Sequence, residues 1–586
     1  MHRCFTQNRT LTLMPDFKLL PMGISDFRRI RLENYYYVDK TAWIPKFEHV
    51  SSFLFFCRPR RFGKTLMLSL LESYYDCRQQ ADWDRLFDGL WIHEHPTANR
   101  AKFQVMRLDF SEVTGTLEQL KESLDAYMNI VLNFFASKYE DMYFDGFVNE
   151  VEKYNTAKEK LIYILKAARK YGNRLYLILD EYDNFTNSVL AQHGEAIYRT
   201  LTHADGFYRD LFKLFKGNFD RILMMGVSPV TMDDLTSGYN IATNITTNPW
   251  FNQVLGFSEP DVRAMLEYYR PLSDAEMTID EMLEQMRQWY DNYCFAEKAL
   301  KTDPKMFNSN MVTYYVNSLL TLAAPPDSME DPNAKTDYTK LRQLIRLDTI
   351  DSYRRSIIQR IAQDGYIYSR VKDYFPAIEL IKKENFISLL YYYGMITMTG
   401  TFRGELRLGI PNNNVRRQYY DFLLEEYQRT ADIDIWQLKE AFVSAAYDGE
   451  WRALLHYIAD SYREDSAVRS AIEGERHLQG YFLAYLNMYE GYLTAPEVEL
   501  NHGYCDFFLM PDKVRQPDIA HSYIIELKYL KADATDAEAA RQWQEAEAQI
   551  RQYGAGSRVA LLSRDTQLHL LIVQFRGPNL LRIGNV

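Results

Sequence analysis

An α/β fold is predicted at both ends of this 586-residue chain, around a largely helical middle. Three observations predict it. Between about residues 50 and 230, short continuously apolar runs alternate with helical stretches, the pattern of a parallel sheet covered on both faces. From about 338 to 465 the periodicity is mostly helical. From 466 to 586 it changes again, to helix, two or three strands, helix and further strands. At ~100–200 residues per domain, the length suggests about three to five domains or subdomains.

The balance of 47% hydrophobic and 25% charged residues suits several buried cores. The 44 tyrosines serve either core packing, the commoner cause, or base stacking. A net charge of -11 excludes a globally basic nucleic-acid binder, so such contacts would need local basic patches. Cys4, Cys57, Cys77, Cys294 and Cys505 form no CxxC pair, which speaks against a disulfide framework or structural zinc and fits a reducing compartment. No run of about 18 apolar residues predicts a membrane span. Met1–Pro21 lacks the apolar core of a signal peptide and reads as a loose tail, with Met14 as an alternative start. The expectation is a cytoplasmic protein without a membrane partner.

In order, the elements read as a tail over 1–20, an α/β core over 21–257, a helical lid over 258–322 and a linker over 323–337 marked by Pro325, Pro326 and Pro332. The helical middle region spans 338–465. Within it a helix through Phe386–Tyr393, then Gly394, then strands Met395–Thr399 and Glu405–Gly409 are compatible with a winged-helix unit. The last domain spans 466–586.

The strand Ser52–Cys57 runs into Arg58-Pro59-Arg60-Arg61-Phe62-Gly63-Lys64-Thr65 and then a helix through Tyr75, the context of a phosphate-binding loop. Gly63 permits close backbone approach, Lys64 reaches the β- and γ-phosphates, and Thr65 holds Mg²⁺. Arg58 stands where such a loop usually begins with Gly; Arg58, Arg60 and Arg61 are expected to act as phosphate ligands. The apolar run Leu175–Leu179 delivers Asp180 and Glu181 at a strand's carboxyl end, where ligands of such sheets bind. Asp180 is expected on Mg²⁺ and Glu181 on the attacking water. Ser228, after the strand Ile222–Val227, is expected to sense the γ-phosphate. Otherwise these acids merely cap a helix.

Near the C-terminus, Tyr523–Tyr529 reads as a strand on which Glu526 and Lys528 share a face, with Ile525, Leu527 and Tyr529 facing the core. Asp506 on the preceding strand sits beside Glu526. Two carboxylates and a lysine suit metal-assisted phosphodiester hydrolysis with Mg²⁺ or Mn²⁺, held by Asp506, Glu526 and the Leu527 carbonyl. Lys528 would orient the water or neutralise the phosphate. Gln549 and Tyr553, four apart on a helix, and Glu475 on an upstream helix are supporting candidates. The bland alternative for Glu526 and Lys528 is an exposed cross-strand ion pair.

Taken together, Gly23-Ile24-Ser25-Asp26-Phe27, Tyr36–Thr41, the Arg58–Thr65 loop, Asp180-Glu181-Tyr182-Asp183, Gly226–Pro229, Tyr290–Tyr293 and Ile410–Asn412 resemble the bacterial AAA-ATPase-like proteins that carry a C-terminal nuclease domain of the PD-(D/E)xK superfamily. The resemblance spans about 20–560. It implies an AAA-like P-loop NTPase core joined to a restriction-endonuclease-like α/β domain, with Asp506, Glu526 and Lys528 on the nuclease motif and Gln549 and Tyr553 on its following helix. Asn292 stands where Gly is usual. Asp39-Lys40-Thr41 is open between a packing role and a contact beside the base.

The function expected is ATP binding and hydrolysis coupled to a Mg²⁺-dependent nuclease acting on DNA or RNA, possible homo-oligomerisation included. The alternative is a nucleotide-dependent switch or scaffold with an inactive nuclease-like binding module. A metabolic kinase is a third, weaker option.

Overall fold

The computed structural model describes residues 17–202, 206–230, 242–273, 275–302, 305–326, 328–331, 353–428, 434–468, 475–500, 503–513, 516–563 and 565–586. Most of the expected tail, residues 1–16, and part of the expected linker, residues 327 and 332–337, lie outside them. The chain divides into two compact units, one of residues 1–347 and 369–406, the other of 348–368 and 407–586. Among the described residues no helix is long and apolar enough to cross a membrane.

The first unit is built on five parallel strands: β1 (Phe53–Cys57), β2 (Gln104–Asp109), β3 (Leu175–Asp180), β4 (Arg221–Gly226) and the short β5 (Thr243–Asn244), in the order β2-β3-β4-β1-β5. β3 and β4 are buried at every position, which is why they read as unbroken apolar runs rather than alternating ones. Helix α1 (Lys64–Tyr75) follows β1. The expected lid is helical, ending in α2 (Ser309–Leu322), whose first turn is capped by the Asn308 side chain. From Phe17 onwards the N-terminal segment is held: Leu19 bridges Tyr35, and the Lys18 N–H donates to the Tyr268 hydroxyl at 2.8 Å.

Residues 369–406, expected in the middle region, belong to this first unit. They hold helix α3 (Lys383–Tyr392), buried at every position from Asn385 to Tyr392. A helix buried on all sides must be surrounded, and its unit supplies the neighbours: the Tyr391 hydroxyl donates to the Phe295 carbonyl at 2.8 Å, and Tyr374 meets Phe55 of β1 edge-on. The helix Tyr353–Asp364 and β6 (Tyr366–Tyr368) fall in the second unit, whereas α3 and β7 (Thr397–Phe402) fall in the first, so the expected winged-helix unit is divided; β6 pairs antiparallel with β8 (Glu405–Gly409).

In the second unit, helix α4 (Glu475–Leu486) precedes β9 (Tyr492–Leu500), β10 (Gly503–Pro511) and β11 (His521–Leu530). Helix α5 (Asp536–Gly554), which starts at a Thr535–Glu538 capping box, leads on to β12 (Gln567–Arg576) and β13 (Asn579–Asn585). The sheet order is β13-β12-β11-β10-β9, with only β11 and β12 parallel, the pair that α5 crosses over. One face packs α5 through Trp543, Ile550 and Tyr553 onto Phe508, Ile524 and Ile572. The other carries Phe575 against Tyr462 and Phe482. Cys57, Cys77, Cys294 and Cys505 are free thiols.

Candidate active sites

At the carboxyl end of the first sheet a cleft of about 310 Å³ opens over the phosphate loop. Its floor is Arg60, Arg61, Gly63, Lys64 and Thr65, with Glu181 at the side. Gly63 is left-handed (φ 90), which lets the loop turn directly into α1, so that the helix's free N–H groups face the cleft. Lys64 is buried; its Nζ donates to the Arg58 and Pro59 carbonyls at 3.1 and 3.2 Å and lies 4.0 Å from Glu181 Oε1.

Asp180 is fully buried beside Asp109, its register partner on β2. Burial, Glu181 and Asp109 push its carboxyl up to about 6 against the opposing effects of the Thr65 hydroxyl and Lys64. One Asp180 oxygen accepts from the Glu181 N–H at 3.0 Å; the other, Oδ2, is buried with no hydrogen-bond partner, and the nearest cation, Arg107, stands 3.9 Å away.

Two expectations need correction. Arg58 is a core residue rather than a phosphate ligand: its guanidinium donates to the carbonyls of Cys57, Thr246 and Phe251 and stacks between the rings of Phe56 and Phe295. Burial lowers it to about 10. An arginine directly after a buried strand follows that strand into the core, because carbonyls and aromatic faces there satisfy it. Ser228 is likewise fully buried and absent from the cleft wall, its hydroxyl accepting from the Val230 N–H at 3.3 Å.

The opposite wall was missed. Gly23, Ile24 and Ser25 line it, together with Ser309, Asn310 and Thr313 from the first turn of α2. The Ser309 hydroxyl donates to the Arg61 carbonyl at 3.2 Å, and Asp331 receives both Arg61 (3.1 Å) and the Asn310 amide (3.2 Å). The Gly23–Phe27 string was visible in the sequence but carried no chemistry of its own. A smaller apolar cavity of about 80 Å³, with Tyr36, Val38, Met67, Leu255 and Met265 on its walls, shares Gly63 and Phe257 with the cleft.

Of Asp39-Lys40-Thr41, the first and last pack the fold, while Lys40 also lines the smaller cavity, so the contact beside the base stays open for it. Asp39 accepts from Thr41 and from the Trp91 N–H (2.7 Å), Thr41 accepts from the Ile92 N–H, and Lys40 pairs with Asp261 at 3.0 Å. Asn292 is left-handed (φ 76), a conformation Gly takes freely and Asn tolerates.

In the second unit, continuing the β10–β11 register by one step from Phe507↔Ile525 sets Asp506 opposite Glu526. Opposed residues of an antiparallel pair share a face. Asp506 accepts from the Leu527 N–H and from the Gln479 amide of α4, both at 2.7 Å. Burial and the charge of Glu526 raise Asp506; burial also raises Glu526, against the pull of Lys528. Lys528 Nζ donates to Glu526 Oε1 at 2.8 Å; burial works against its charge, but Glu526 and Asp506 outweigh it and hold the ammonium above its ordinary value. Glu526 is 2% exposed, so the surface ion-pair alternative is excluded.

Glu475 stands at the start of α4, near enough to act on both Glu526 and Lys528. Tyr553 accepts from the Gln549 amide one turn away and feels Glu526. Gln479 was not foreseen; a glutamine on a helix gives no signal until the helix is docked.

Among the described residues no three His, Cys, Asp or Glu side chains converge as a ready-made metal cage. Both clusters nevertheless fit a Mg²⁺-type ion, which takes one or two carboxylates and fills its remaining positions with water and phosphate oxygens. The fit rests on Asp180 Oδ2 and Glu526 Oε2, buried carboxylate oxygens with no hydrogen-bond partner.

Residues 21–236 match the family described as predicted AAA-ATPase, and residues 473–584 match the PD-(D/E)XK nuclease superfamily. A curated relative, an uncharacterized protein in the vnfD 5' region of Azotobacter chroococcum mcd 1, is 26% identical over 300 residues, 48% of this chain and 50% of that protein. The chain thus spans about half the length of that relative.

Proposed function

From a chain whose N-terminal region belongs with the AAA-ATPase-like proteins and whose C-terminal domain belongs to the PD-(D/E)XK nuclease superfamily, we propose an ATP-binding and ATP-hydrolysing protein that governs a divalent-metal-dependent nuclease acting on DNA or RNA phosphodiesters. The observation that carries this reading is the shared chemistry of the two clusters. Each sets a lysine and two acids together with a buried carboxylate oxygen that lacks a hydrogen-bond partner.

In the first cluster, the loop amides, Lys64, Arg60 and Arg61 would bind the phosphates, and the apolar cavity beside Gly63 would take the base. Thr65 and Asp180 would hold Mg²⁺. Glu181 would orient the attacking water, since phosphoryl transfer depends mainly on positioning and charge stabilisation. In the second, Asp506, Glu526 and the Leu527 carbonyl would hold the metal. When bound there, the metal supplies a lowered water pKa and neutralises charge on the phosphate. Lys528 would aim the water or offset phosphate charge, and Glu475, Gln549 and Tyr553 would flank the substrate.

Cleavage of mixed DNA and RNA substrates with Mg²⁺ or Mn²⁺, with and without ATP, tests the reading. Glu526→Gln and Lys528→Ala are expected to lose at least 100-fold of the cleavage rate, and Lys64→Ala to remove its dependence on ATP. Wild-type inertness on all substrates retires the nuclease part. One observation favours the second reading, a switch with a nuclease-like binding module: both Asp506 oxygens already accept hydrogen bonds. That version requires Asp506→Ala to leave every function intact.

A further inference from the structure

Glu181 has an unusual backbone. Its φ of 50 lies in the left-handed region, which non-glycine residues avoid and which persists only where the surroundings hold it. It also lines the phosphate cleft, so whatever fixes that turn fixes the direction of the Glu181 carboxylate.

Two residues on, Asp183 has no part in the cleft and is fully buried. Its carboxylate accepts three N–H groups, two from the end of β4 and one from the helix that follows Asp183. These are the Val227 N–H at 3.2 Å and the Ser228 N–H at 2.8 Å, both just beyond β4, and the Asn187 amide at 2.7 Å. The room for this approach comes from Gly226: a Cβ there would stand 2.5 Å from Asp183 Oδ1 and 2.6 Å from the Tyr182 ring. Further ties reinforce it. The Tyr182 hydroxyl donates to the Ser228 carbonyl at 2.7 Å, the Tyr208 hydroxyl donates to the Tyr182 carbonyl, and the Asn184 N–H donates to the Glu181 carbonyl at 2.9 Å.

We infer that Asp183 is a positioning residue for ATP hydrolysis, a carboxylate latch that fastens the Glu181 turn to the end of β4 and so holds Glu181 in its strained, cleft-facing conformation. The inference rests on the ATPase reading above. It also explains the spacing in Asp180-Glu181-Tyr182-Asp183: the first acid faces the metal side, the second the water, and the fourth residue anchors both to the neighbouring strand.

The test is a double-mutant cycle in the full chain, with steady-state ATPase rates and fluorescent-ADP affinity measured for Asp183→Asn, Glu181→Gln and the pair. Asparagine keeps the volume but cannot accept from two strand N–H groups and Asn187 together. The expected result is a kcat at least tenfold lower for Asp183→Asn, with KM and ADP affinity within twofold of wild type. In the Glu181→Gln background the same change should cost less than threefold, because a residue acting through Glu181 has nothing left to position. An unchanged kcat, or losses that multiply, overturns the latch while leaving the ATPase reading standing. A wild-type enzyme without ATPase activity overturns both. Should Asp183→Asn fail to fold, Tyr208→Phe removes one strut at constant shape. A two- to fivefold loss of kcat that vanishes in the Glu181→Gln background supports the latch, and an unchanged kcat overturns it.

Discussion

At Asp180, burial and the charges of Glu181 and Asp109 hold the carboxyl near 6 rather than its ordinary value of 3.8. A raised carboxyl pKa means the folded state keeps a proton that the unfolded state has lost. Stability therefore falls as pH rises from about 4 to about 6, and the full penalty applies above that, on the order of 3 kcal/mol. Asp180→Asn is expected to raise the melting temperature by about 2–4 °C at pH 7.5, with the gain shrinking as the pH is taken below 6; a thermal melt series checks it. The same carboxyl must lose its proton to take a metal, so Mn²⁺ affinity in the ATP complex should fall by about tenfold per pH unit below pH 6. Arg58 and Arg60, two positions apart, should separate cleanly. Arg58→Met strands the carbonyls of Thr246 and Phe251 in the core and is expected to cost about 3 kcal/mol of stability. Arg60→Ala should weaken ATP binding about tenfold, as titration with a fluorescent nucleotide will show.

Each site is assembled from elements distant in sequence. α4 contributes Gln479, whose amide fixes Asp506 on β10, so Gln479→Ala is expected to weaken Mn²⁺ binding to the second unit about 10-fold or more. Calorimetry of the Lys64→Ala background, where the nucleotide site is disabled, isolates that effect. The strands that carry the acids were legible in the sequence for a simple reason. β3 is buried at every residue and ends abruptly in Asp180, and β11 places Glu526 and Lys528 on one face by its period of two. The loop was legible because Gly63 and Lys64 sit between an apolar strand and a helix. Arg58 was misread because charge alone does not say whether a guanidinium meets phosphates or carbonyls. The α2 wall and Gln479 were missed because their partners lie about 250 and 27 residues away, and only a docked helix reveals them. The placement of 369–406 also escaped, since α3 shows the same helical pattern whichever core surrounds it.

At the scale of the whole molecule, each compact unit holds one of the two clusters. Each also buries a thiol in its sheet: Cys57 at the end of β1, whose pKa burial lifts to about 12, and Cys505 on β10 with no exposed surface. A thiol so placed reacts with an alkylating reagent only after its strand has opened. The rates at which Cys57 and Cys505 become modified, followed by mass spectrometry of peptides in mild denaturant, therefore clock the opening of the two units independently within one chain. Saturating ATP should slow the clock at Cys57 by the factor its binding free energy dictates. Any slowing at Cys505 in the same tube would measure, in free-energy units, how much of the nucleotide's grip is passed on to the other half.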